Sequence, residues 1–126
     1  MDRSAFEQIV AEGSARIPVA FRGYLREIVL VVEREPTKAH QRSAGLASDE
    51  ELFGLYEGTP RTERAYLTYR LPDTITLFQG PIERACGGDP EVIKEEIART
   101  VWHELAHALG VQEERIDQLE ADRGWT

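Results

Sequence analysis

The chain reads as an α+β protein, a small twisted and mostly antiparallel sheet packed on one long helix. Three observations predict it. Residues 27–33 (EIVLVVE) form a β-branched apolar run that stops just before Pro36, the pattern of a buried strand. Residues 52–60, 65–72 and 74–82 are short, apolar and aromatic, and a glycine or proline punctuates each near its end, as in successive strands of a sheet. Residues 89–110 then carry the strongest helical signal in the chain: Asp89 to cap, Pro90 in the first turn, apolar residues at helical spacing, and Gly110 to terminate.

The remaining elements follow in order. Residues 4–13 are expected to form a first helix, with Ser4 as cap, Glu7 completing a capping box, and Phe6, Ile9 and Val10 on one face. Residues 36–51 are polar and broken by proline and glycine, so they read as a long surface loop or a loop with a short helix. A second short helix is expected over residues 112–122. Ile93, Ile97, Val101, Trp102, Leu105 and Leu109 are the expected core face of the long helix. Cys86, the only cysteine, reads as a free thiol in a turn, so no internal disulfide is available.

At 126 residues the chain is expected to be a single domain spanning 1–126. Its 41% hydrophobic and 30% charged composition is that of an ordinary globular protein. No run approaches the ~18 apolar residues of a membrane span, and residues 1–10 lack the regions of a signal peptide, so the expected compartment is the cytoplasm. The net charge of −8 is concentrated late: residues 86–126 hold ten acids against four bases, while residues 1–85 are nearly balanced, with thirteen against eleven. Such an excess argues against a nucleic-acid backbone as partner and suits a bound cation or a basic substrate.

The chemistry is concentrated in the long helix. His103 and His107 are four residues apart, so they stand one turn apart on one face and can address one atom. Two imidazoles at that spacing are half of a tetrahedral zinc site. Glu104 is rotated about 100° from His103 and about 60° from His107, beside the ligands, where it can reach a metal-activated water as general base. Shuffling 3 His and 17 Glu through 126 positions yields H-E-x-x-H about 1% of the time, so context decides its weight. The context is a well-capped helix followed by a glycine that lets the chain fold back. Three residues past that glycine, Glu113 is the best placed third ligand, with Glu114 and Asp117 as rivals.

His103 to Glu113 reads H-E-x-x-H-x-x-G-x-x-E, which resembles the extended metzincin motif with an acid where most metzincins have a third histidine. The match is similar to a family of small bacterial zincin-like metallopeptidases, which share the early strand, a segment like Gly54-Leu55-Tyr56-Glu57-Gly58 and one like Leu71-Pro72-Asp73-Thr74-Ile75-Thr76-Leu77. The resemblance spans residues 25–119. It implies a zincin-like fold, Zn2+ held by His103, His107 and Glu113, Glu104 as catalytic base, and a peptide or protein substrate aligned along an edge strand within residues 66–78. One departure is plain: Met1 is the only methionine, so the methionine turn of metzincins is absent or replaced.

Other polar residues have ordinary readings. His40 is expected to be a lone surface histidine, and Tyr56, Tyr66 and Tyr69 to be packing residues rather than oxyanion donors. The enzyme reading is a zinc peptidase. The small size motivates an alternative, a metal-binding module of the same fold that acts through a protein partner, and a third reading is a metal-dependent hydrolase of a non-peptide substrate.

Overall fold

The computed structural model describes residues 1–47, 49–58 and 73–125. In chain order these form α1 (Arg3–Ser14), α2 (Val19–Arg22), a 3-10 turn (Gly23–Glu27), β1 (Ile28–Glu33), α3 (Lys38–Ser43), β2 (Gly54–Glu57), β3 (Asp73–Phe78), α4 (Gln79–Cys86), α5 (Pro90–Ala108) and α6 (Glu113–Asp122). The architecture is α+β, with helices against a sheet that has three strands among the described residues. No helix among the described residues is long and apolar enough to cross a membrane.

Helix α5 is central. The Asp89 carboxylate accepts from the Glu91 N–H at 3.0 Å, which satisfies one of the donors a helix start leaves open. Ile93, Ile97, Val101 and Leu105 then recur every fourth residue and, with Ala98, Trp102 and Ala106, are almost completely buried. All of these but Leu105 join Phe6, Ile9 and Val10 of α1 with Ile75 and Leu77 of β3 in one core. Trp102 meets Phe21 edge-on at 6.1 Å and Trp125 at 5.8 Å. Leu109, past the helix end, is only partly buried.

Helix α1 begins one residue earlier than its sequence suggests, and its cap is Asp2 rather than Ser4: the Asp2 carboxylate accepts from the Ala5 N–H at 2.7 Å. A carboxylate caps as well as a hydroxyl and also meets the positive end of the helix dipole. The loop expected over residues 36–51 contains the short α3, in which Thr37 and His40 form a reciprocal capping box.

In the sheet β3 lies in the middle, parallel to β1 and antiparallel to β2, with Ile75 opposite both Leu30 and Tyr56. The described sheet is therefore mixed, with one pairing of each sense. Apolar runs announce a strand but not its direction, which here is set by the intervening chain through α3 and β2. The expected strand over residues 65–72 lies outside the described residues. The apolar segment 74–82 divides: β3 ends at Phe78, and Gln79 opens α4, whose first turn accommodates Pro81 because its missing N–H would have had no helical partner there. Cys86 is the last residue of α4, not part of a turn, and its thiol is free.

Gly54 fixes how closely β2 approaches α5. A Cβ at this position would lie 2.7 Å from Thr100 Cγ2 and 3.3 Å from the Thr76 carbonyl oxygen, and the β-branched threonine has little freedom to withdraw. Replacing Gly54 by valine is expected to cost about 1–3 kcal/mol through overpacking, read as a lowered urea midpoint; an unchanged midpoint would show that this contact does not constrain the strand.

Candidate active site

Helix α5 presents opposite faces to core and solvent. With Ile97, Val101 and Leu105 inward, the ~100° step per residue turns His103 and His107 away from the core, while Thr100 and Glu104, each two turns after a buried isoleucine, fall at the edge of the buried stripe beside β2. The two imidazoles converge: His107 Nε2 lies 3.0 Å from His103 Nε2, with ring centres 4.7 Å apart.

Beyond α5 the chain doubles back. Gly110 sits at φ 81°, a conformation that favours glycine, and the Gly110 and Val111 N–H groups donate to the carbonyls of His107 and Ala106. This tight reversal starts α6 at Glu113, beside the histidines. A Glu113 carboxylate oxygen lies 3.0 Å from His107 Nε2, and the other lies 3.9 Å from His103 Nε2. One ligand-capable atom from each of His103, His107 and Glu113 falls within 4.8 Å of the others, the group of this kind found among the described residues. Glu114 and Asp117, the rival third ligands, are exposed and outside this cluster.

Glu104 stands next to the cluster without belonging to it. Burial pushes its carboxyl above the usual carboxylate range, against a hydrogen bond from the Tyr56 backbone and the nearby imidazoles of His103 and His107, which pull it down. It lines a cleft of about 230 Å³ between α5 and β2, with Phe53, Gly54 and Thr100 on its walls and Glu96 and Arg99 further along.

One residue here was not singled out from sequence. Glu120, 3% exposed, places Oε1 2.6 Å from His103 Nδ1, while its other oxygen is 3.5 Å from an Arg99 guanidinium nitrogen. A signal existed: Glu120 follows Glu113 by seven residues, two helical turns, which puts both on one side of α6.

Other candidates have structural employment. His40 accepts the Thr37 N–H at 3.0 Å and its ring lies 5.0 Å from that of Phe78. The Tyr56 hydroxyl donates to Asp73 at 2.6 Å. Tyr66 and Tyr69 lie outside the described residues. Of the segment 66–78 assigned to substrate alignment, residues 66–72 are likewise outside, and β3 is paired on both sides and so has no free edge; β2 is the strand beside the cleft.

Two imidazoles, a carboxylate beside them and a neighbouring half-buried glutamate are a set of groups of the kind metal-dependent hydrolases use. The chain matches the zincin-like metallopeptidase family over residues 25–123 and belongs to that family, which implies a divalent metal. No curated protein matches it. Among solved structures it is similar to a conserved hypothetical protein from Thermus thermophilus, at 21% identity and a TM-score of 0.53, over 90% of this chain and 99% of that one. That likeness shows a shared fold.

Burying an acid beside this site has a measurable cost. Burial raises the Glu96 carboxyl, Arg99 lowers it and Glu120 adds to the rise. An acid that holds its proton more tightly folded than unfolded loses stability as pH rises through its unfolded pKa, and the penalty is complete above its folded pKa. Glu96→Gln is therefore expected to raise the urea midpoint near about pH 7, with the gain fading towards about pH 4. A gain independent of pH, or a loss near neutrality, would contradict this.

Proposed function

We propose that the protein is a zinc-dependent peptidase in which His103, His107 and Glu113 hold the metal and Glu104 is the general base. The observation that carries the reading is the gathering of those three donors within 4.8 Å beside a glutamate that is not one of them. The residues fit the ion: two nitrogen donors and one oxygen donor are an accepted catalytic zinc set, and three protein ligands leave a coordination position for water. Bound there, zinc would supply Lewis acidity, bringing the pKa of a water towards ~7 and polarising a substrate carbonyl.

The chain's own residues do the rest. Glu104 stands beside the three donors, where the Tyr56 backbone N–H favours its charged form and it can take the proton of the water that attacks the scissile carbonyl. Partial burial strengthens its grip on that proton, which it then passes to the departing amine as the C–N bond breaks. The products are a carboxylate and a free amine, with no covalent enzyme intermediate. The cleft beside Glu104 receives a neighbouring substrate side chain between Phe53 and Thr100.

A zinc-loaded sample is expected to cleave members of a broad peptide library. Glu104→Gln should lower cleavage by about 10²–10⁴-fold while retaining zinc, and His107→Ala should lose the metal as well as the activity. A loaded wild type that cleaves nothing, or a Glu104→Gln variant as active as wild type, would overturn the peptidase reading.

A further inference from the structure

Resting on the zinc reading above, we propose that Glu120 is a positioning residue, which fixes the tautomer and plane of the His103 ring so that its Nε2 presents a bare lone pair to the metal. The geometry separates the two ring nitrogens. Nδ1 faces Glu120 Oε1 at 2.6 Å, and Nε2 faces His107 Nε2 at 3.0 Å and a Glu113 oxygen at 3.9 Å. A carboxylate can only accept, so Nδ1 carries the proton and Nε2 is left free to ligate.

Burial supports the assignment. A carboxylate that is 3% exposed forfeits most of its hydration and persists only where partners replace it. Of the two partners, His103 at 2.6 Å is much the closer, since Arg99 stands at 3.5 Å. A helix residue placed merely for solubility would face outward, as Glu114, Asp117 and Asp122 of the same helix do. Glu120 also closes the C-terminal end of α6, where its carbonyl accepts from the Trp125 N–H at 2.9 Å. Because Glu113 opens that helix, the Glu120–His103 bond ties the helix that bears the third donor to the one that bears the first two.

Two measurements test this, one without metal. In zinc-free protein at a pH where the ring is neutral, ¹⁵N–¹H correlation spectra are expected to show His103 protonated at Nδ1, and in Glu120→Gln that preference should be lost, since the amide can donate to Nδ1. Zinc competition against a chelator should then show affinity about 10- to 100-fold weaker in Glu120→Gln, with part of the loss recovered in Glu120→Asp, which keeps the charge. A wild-type His103 protonated at Nε2 overturns the inference even if no variant folds. So does a Glu120→Gln variant that binds zinc as tightly as a zinc-binding wild type. If wild type binds no zinc, the peptidase reading fails and the tautomer alone decides whether Glu120 governs the ring.

Discussion

Everything at the site depends on the burial of one stripe of α5. Ile93, Ile97, Val101 and Trp102 are buried in one core with residues of α1 and the sheet, and Leu105 is buried one turn further on; each fully buried side chain of this size is worth about 1.5–3 kcal/mol. Rotating the helix would expose several of them at once. That rigidity sets the direction of His103 and His107, which occupy the arc the core leaves over, and of Glu104 at the edge of the buried stripe. The core thus sets the bearing of the donors, and no flexible loop has to find it.

The second constraint is the reversal after α5. With Gly110 in a left-handed conformation, three residues suffice to carry the chain from Leu109 to Glu113. The consequence is electrostatic as well as geometric. Glu113, Glu120, Glu104 and Glu96 are drawn towards one region, and in the last two burial raises the carboxyl. Gathering acids in this way is unfavourable without a cation and favourable with one, so in the proposed zinc site stability is given up where function needs it.

Legibility from sequence followed the range of the interactions involved. Helix α5, its Asp89 cap and its glycine stop were legible because caps and periodicity are local, and so were β1 and α6. The clustering of His103, His107 and Glu113 was legible for the same reason: the two histidines are one turn apart, and Glu113 is one short reversal away. What depended on distant partners was less visible. The parallel pairing of β1 with β3 bridges more than forty residues, and apolar runs carry no sign of direction. Helix α4 was hidden because its glycine and proline read as strand terminators, whereas both sit within its first turn. Asp2 displaced Ser4 as cap because two adequate acceptors lay two residues apart. Glu120 looked like any acid on a polar helix until the fold placed it beside Nδ1 of His103.

The central claim is that one metal ion sits where α5 and the start of α6 meet, and locating zinc directly tests it. Diffraction from zinc-soaked crystals, recorded on both sides of the zinc absorption edge, is predicted to show a single strong anomalous peak within bonding distance of His103 Nε2, His107 Nε2 and a Glu113 carboxylate oxygen. A peak ligated elsewhere on the chain, or none in crystals soaked at saturating zinc, would contradict the account.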